Sequence, residues 1–190
     1  MRFNLPTVAL ITTACVPRAV QANFDTHHVE WIWINRPAIL WQVFEAEAGC
    51  DDAIHSPIWE DHSDVSGSKM GVRCKGSGCA PQTPANNIDE LEMHFSNSPL
   101  YHWTIYKNRG RSMMGLDGNA YGNCIVFPNG DYNCPLAGLK VEGRRKFRCL
   151  TKYTANDLRA NARLAGGPPT LKEFVEASVK RDLTAVPFTG

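Results

Sequence analysis

Beyond residue 22 the chain has no apolar run approaching the ~20 residues that a membrane-spanning helix needs. Insertion by a helix is therefore not expected. Basic excess is also missing, with 20 Lys and Arg against 19 Asp and Glu. A general nucleic-acid binder carries a clear surplus, and the one local surplus here is Arg144, Arg145, Lys146 and Arg148. There is no two-residue Cys–Cys spacing and no paired His–Cys motif, so no metal site is expected and no cofactor is implied. His55 and His62 sit among Asp51, Asp52, Glu60, Asp61 and Asp64, but in a loop-like stretch that reads as a solvated acidic face. No Asn-x-Ser/Thr sequon without proline occurs, which excludes N-glycosylation.

What is present points to export. Arg2, an apolar core over residues 5–15 and the small-residue segment Val20-Gln21-Ala22 have the anatomy of a signal peptide over residues 1–22. Without Arg2 and Arg18, 18 basic residues face 19 acidic ones. Cys15 leaves with the leader and six cysteines remain, an even number that in an exported chain reads as three disulfides. Cys74 and Cys79 flank a flexible Lys-Gly-Ser-Gly loop, and Cys124 and Cys134 flank a turn at Pro128-Asn129-Gly130. Each pair is positioned to close on itself, which leaves Cys50 for Cys149.

The expected organisation is a disulfide-stapled core over residues 23–151 and a helical C-terminal extension over 152–190. Residues 28–34 alternate as a strand that Pro37 breaks. Residues 38–48 are a second strand or a short helix. Residues 51–84 read as irregular, and 86–95 as a short helix capped by Asn87 or a loop leading into a strand. Residues 101–106 alternate, with Tyr101, Trp103 and Ile105 on one face and His102, Thr104 and Tyr106 on the other. Residues 108–123 read as a glycine-rich loop. Residues 124–127 and 132–139 read as a hairpin around Asn129-Gly130, and residues 145–151 as a last strand. Residues 154–164 and 170–180 have helical periodicity, the second with an apolar stripe of Leu171, Phe174, Val175 and Val179. The fold class is α+β.

A set of short collinear pieces resembles the microbial guanyl-specific ribonucleases of fungi. They are Asn86-Asn87-Ile88-Asp89, Phe95-Ser96-Asn97-Ser98-Pro99-Leu100-Tyr101-His102-Trp103, Ile125-Val126-Phe127-Pro128, Leu136-Ala137-Gly138 and Phe147-Arg148-Cys149. The resemblance implies a small secreted protein with an antiparallel sheet packed on a helix, and a substrate loop at Asn86, Asn87 and Asp89. It also implies RNA cleavage by transphosphorylation, in which a Glu takes the 2′-OH proton, a His protonates the leaving oxygen, and a second His with an Arg stabilises the phosphorane. The chain departs from that pattern where it matters. The Glu position holds His102, the acid position falls near Glu142, the Arg position holds Cys124, and no His lies in 83–86. Ile88 takes the place of the guanine-stacking aromatic. His102 and Glu142 are the candidate swapped base and acid, with Arg144 and Arg145 as candidate phosphate contacts. A Glu serves as acid only where burial raises its pKa.

A second similarity, through Cys74-Lys75-Gly76-Ser77-Gly78-Cys79 and Gly122-Asn123-Cys124-Ile125-Val126-Phe127-Pro128-Asn129-Gly130, is to fungal killer-toxin-like secreted proteins, whose later Gly-Cys-x-x-Cys-Gly-Ser motif is absent. The expectation is a secreted, monomeric, effector-like binding protein on a degenerate ribonuclease-like scaffold, acting outside the cell or after transfer into a host, with a host protein or RNA as partner. The alternatives are an active ribonuclease using His102 and Glu142, and a toxin.

Overall fold

The computed structural model describes residues 24–33, 36–127, 129–136, 139–164 and 166–185. The signal-peptide assignment therefore lies outside the described residues. The chain runs β1 (Phe24–Trp33), β2 (Arg36–Phe44), α1 (Cys50–His55), β3 (Trp59–Glu60), β4 (Gly71–Lys75), β5 (Glu90–His94) and β6 (His102–Tyr106). It continues β7 (Ser112–Gly115), β8 (Ala120–Val126), β9 (Tyr132–Leu136), β10 (Leu139–Thr151), α2 (Ala155–Leu164) and α3 (Leu171–Ala185). The named strands pair antiparallel, in the order β3-β2-β1-β10-β8-β7-β6-β5-β4, with β9 added on β10. The two ends of this row meet. Asp61, just after β3, bridges Val72 of β4, and the His62 N–H donates to the Val72 carbonyl at 2.8 Å. The sheet is thus curled into a closed wall.

Strand alternation decides what fills it. Phe24, Trp41, Trp59, Leu91, Met93, Trp103, Ile105, Met113 and Phe147 turn inward from successive strands and form one aromatic-rich core. Phe24 stacks on Trp103 and meets Phe95 edge-on, both at 6.4 Å. The tilt of Ala155, Leu158 and Ala162 into this core fixes α2 against the wall. A second core lies on the outer face of β1, β2 and β10, where Val29, Trp31, Leu40, Phe44, Tyr132 and Val141 are covered by Ala53 of α1 and by Leu171 and Val175 of α3. The Leu171–Val179 stripe does what its period implies. The two C-terminal helices pack into the two cores, so α2 and α3 belong to the same hydrophobic structure as the sheet.

Several expectations are corrected. Pro37 does not end a strand. It pairs with Ile32 inside the β1–β2 ladder. The stretch 51–84 contains α1, β3 and β4, and 108–123 contains β7. Asn129 and Gly130 adopt the positive φ that their turn signal requires (71° and 81°). Gly130 is also needed for space, since a Cβ there would lie 2.5 Å from the Arg145 guanidinium carbon. The strands on either side of this turn do not pair with each other. β8 pairs with residues 147–151 of β10 and β9 with residues 139–143, end to end along one edge of β10.

That geometry overturns two of the three expected disulfides. Cys74–Cys79 forms as its spacing suggests. Cys124 faces Cys149 directly across β8 and β10 and bonds to it, not to Cys134. Cys134, on β9, bonds to Cys50 of α1. The three bridges then staple the β4 loop, the inner wall and the α1–β9 contact. No helix among the described residues is long and apolar enough to cross a membrane.

Candidate binding groove

The irregularity that shapes the candidate site is a bulge in β10. Thr26 of β1 pairs with Phe147 and His27 with Arg145, so Lys146 is the extra residue. It is 2% exposed, and its ammonium donates to the carbonyls of Gly78 (3.0 Å), Ala80 (3.1 Å) and Thr83 (2.7 Å), with Pro81 at 3.4 Å. Burial lowers its pKa to about 8, so the ammonium stays charged at neutrality, where the carbonyls hold its protons. These bonds, the Cys74–Cys79 bridge and the Arg111–Asn86 hydrogen bond (2.9 Å) fasten the 78–87 loop over the middle of β10. Between loop and strand lies a polar groove of about 500 Å³, lined by Pro81, Gln82, Asn86, Asn129, Asp131 and Arg144, with Arg145 and Lys146 at its wall.

Three of the five residues expected to bind substrate, Asn86, Arg144 and Arg145, therefore come together in this groove. Asn87 is exposed on the same loop. Asp89 is not in the groove. It pairs with Lys107 at 3.3 Å and lines a separate cleft of about 420 Å³ with Glu90 and Asn108.

The basic run does not present the charge its sequence suggests. Arg144 donates to Asp131 (2.9 Å) and Glu142 (3.0 Å). Arg145 and Arg148 both close on Asp25, at 2.8 Å and 2.7 Å, and stack on the Phe127 ring at 4.7 Å and 4.1 Å. Asp25 is wholly buried. Burial alone would raise its pKa, and the hydrogen bonds from Arg148 and Arg145 overcome this and hold it below the ordinary carboxylate range.

The proposed catalytic pair is not assembled. His102 lies on β6, three strand spacings from β10, about 14 Å along the sheet. Glu142 pairs with Lys140 and Arg144. The Lys140 hydrogen bond chiefly lowers its pKa, the reverse of what a general acid needs. His102 has a different carboxylate. Its Nε2 meets Glu92 Oε1 at 2.9 Å, and Glu92 also accepts from Arg73 Nε at 2.7 Å. Burial lowers the His102 pKa against the pull of Glu92.

Glu92, Arg73, Asp25 and the anchoring role of Lys146 were missed from sequence. For Glu92 a signal existed. Glu90-Leu91-Glu92-Met93-His94 alternates, which sets Glu92 and His94 on the polar face of a strand. For Asp25 and Lys146 there was none, because both depend on a bulge between distant strands. Known proteins offer no guide beyond this geometry, since no family model, curated protein or solved structure matches the chain.

Proposed function

We propose that this is a secreted, non-catalytic binding protein of the effector type, a degenerate ribonuclease-like scaffold that engages a host or competitor protein through the groove between the 78–87 loop and β10. The observation that carries this reading is the internal closure of the basic run: Arg144 on Asp131 and Glu142, Arg145 and Arg148 on Asp25, Lys146 on loop carbonyls. A polyanion gains most from cations free to replace its counterions. This groove offers instead amides, carbonyls and one neutralised guanidinium, a surface suited to a polypeptide. Three disulfides accord with an oxidising compartment.

The test combines two assays. Single-stranded RNA incubated with the protein at low salt is expected to remain intact and unbound. Capture from target-cell extract is expected to retain a protein that an Asn86→Arg, Gln82→Arg variant of unchanged melting temperature does not retain. Salt-steep RNA binding, or capture indifferent to the groove variant, would overturn the reading. The Glu92–His102 contact beside Arg73 supports one rival, a nuclease running on that pair in place of His102 and Glu142. RNA cleavage abolished by both Glu92→Gln and His102→Ala would establish it.

A further inference from the structure

One cation beside the groove has no acid to answer it. Arg111 ends the turn between β6 and β7, and its Nη2 donates to Asn86 Oδ1 of the groove at 2.9 Å. Its Nε is buried without a partner, and no carboxylate among the described residues pairs with it. The neighbouring cations are all held. Arg144 closes on Asp131 and Glu142, Arg145 and Arg148 on Asp25, Lys146 on loop carbonyls and Lys107 on Asp89. Arg109, on the same turn, rests on the Tyr106 ring at 4.9 Å and also lacks a carboxylate.

The backbone holds Arg111 in a left-handed conformation, with φ at 62°, which is strained for a long side chain. The turn is stapled around it. The Arg111 N–H donates to the Tyr106 carbonyl at 2.9 Å, its carbonyl accepts from the Cys124 N–H at 3.0 Å, and Asn123 Nδ2 donates to the Gly110 carbonyl at 2.7 Å. Glycine would make the same bend without strain, so the bend does not account for an arginine there. The Cys124 bond also sets the position of Arg111 along the groove, because Val126, two residues further on in β8, is part of the groove wall.

Resting on the reading of the groove as a polypeptide site, we propose that its occupant is an acidic segment of the partner protein, and that Arg111 receives an Asp or Glu side chain of that segment at the Asn86 end. Of the guanidinium nitrogens, Nε is buried and Nη2 is used, which leaves Nη1 for the ligand. Asn86 accepts through Oδ1 and keeps its amide N–H donors for the second carboxylate oxygen or the main chain. Asp131, the one acid among the lining residues, does not oppose this, because Arg144 and the Arg145 N–H occupy its two oxygens. One open guanidinium suits one carboxylate. It gives RNA little, since polyanion affinity grows with each phosphate neutralised.

The experiment selects ligands and then removes the charge on either side. Random ten-residue peptides are selected on the intact disulfide-bonded protein, and the enriched sequences are synthesised with both ends blocked. Those that the Asn86→Arg, Gln82→Arg variant no longer holds are expected to carry Asp or Glu at one fixed position. Replacing that residue by Gln is expected to weaken binding about tenfold, as loss of one charge-assisted hydrogen bond does. Arg111→Gly is expected to weaken the acidic peptide by the same factor, to leave the Gln peptide unaffected, and to melt no lower than the wild type, because the strain is relieved. The peptide comparison on the wild-type protein decides the matter even if Arg111→Gly does not fold. Groove-bound peptides without a fixed acidic position, an acid-to-Gln change without effect, or equal weakening of both peptides in Arg111→Gly would overturn the acidic partner and leave the groove reading standing. Binding restored to the Gln peptide by a free C-terminal carboxylate, or gained more than tenfold by phosphoserine at the fixed position, would overturn it in favour of a chain end or a phosphate. No peptide held at the groove would overturn both.

Discussion

Asp25 and His28 sit three residues apart on β1, point to opposite faces of the sheet, and are both fully buried. Their surroundings could hardly differ more. Asp25, on the outer face, receives Arg145 at 2.8 Å and Arg148 at 2.7 Å and 2.9 Å. His28, on the inner face, has neither ring nitrogen hydrogen-bonded, beside an unpaired Thr26 hydroxyl, with the Trp41 ring edge-on at 4.9 Å. The Lys146 charge adds to its burial in opposing protonation. The outer face tolerates a charge because it is met by charge. The inner face tolerates a titratable ring because the ring stays neutral. One strand thus uses two ways of keeping a polar group from water, and they fail under different perturbations.

Removing the charge on the outer face should have the larger effect. Asp25→Ala removes the buried carboxylate that Arg145, 1% exposed at its side chain, shares with Arg148, and leaves Arg145 the Phe127 carbonyl at 3.2 Å and the largely exposed Glu47 at 3.8 Å. Breaking one partner of such a buried pair costs about 3–5 kcal/mol. The expected outcome is a loss of that size in urea unfolding, with Asp25→Asn milder because the amide oxygen still accepts. A loss below about 1 kcal/mol would mean that the Phe127 carbonyl and Glu47 suffice for Arg145 and that the contrast between the two faces is weaker than drawn.

Acid probes the inner face. Burial, reinforced by Lys146, lowers the His28 pKa from 6.5 to about 4. The unfolded chain therefore takes up a proton near pH 6.5 that the folded chain refuses until about pH 4. Stability from this group is complete above pH 6.5, falls as pH drops through the window, and is lost by about pH 4. The size is about 3 kcal/mol. His27, whose pKa burial also lowers, adds in the same direction. Denaturant midpoints measured across the window should fall steadily. A flat profile would place a hidden hydrogen-bond partner at His28.

His28→Leu separates these effects. It removes two unpaired nitrogens and keeps most of the volume, so at pH 7 stability should hold or rise by about 1 kcal/mol, while the acid dependence should shrink. A loss above about 2 kcal/mol would mean that a buried water bridges His28 to Thr26 or Lys146, making the inner face as well satisfied as the outer.

What sequence made legible follows the same divide between local and distant. The alternation of 101–106 sorted Trp103 and Ile105 inward and His102 outward, because a two-residue period needs no partner to be read. The helical stripe at Leu171 and Val175 found its core for the same reason. Cys74–Cys79 was readable across five residues. Cys124–Cys149 and Cys50–Cys134 were not, because they depend on β8 and β9 lying end to end on β10, and the Asn129-Gly130 turn specifies its own bend but not which strand each arm joins. The groove was half legible. Asn86 follows from the resemblance and Arg144 from the basic run, and the two do line one groove, but the closure of Arg145 and Arg148 on Asp25 runs over 120 and 123 residues of sequence, and no local pattern reports it.

The smallest effect belongs to the charges that merely lie at the surface of β10, the neighbour of β1, and of the turn before β9. Lys140, Glu142, Arg144 and Asp131 form a chain of ion pairs with side chains 64%, 21%, 38% and 40% exposed. Water competes for each of them, and ordering long side chains offsets much of the attraction, so Glu142→Gln should change stability by no more than about 0.5 kcal/mol. The same substitution leaves Asp131 as the one carboxylate paired with Arg144 and so tests the groove. If the groove reads a polypeptide, RNA binding should stay absent in Glu142→Gln at low salt. If RNA binding appears and weakens steeply as salt is added, Glu142 is what keeps Arg144 from phosphate, and the internal closure of the basic run acts as a specificity device rather than as scaffolding.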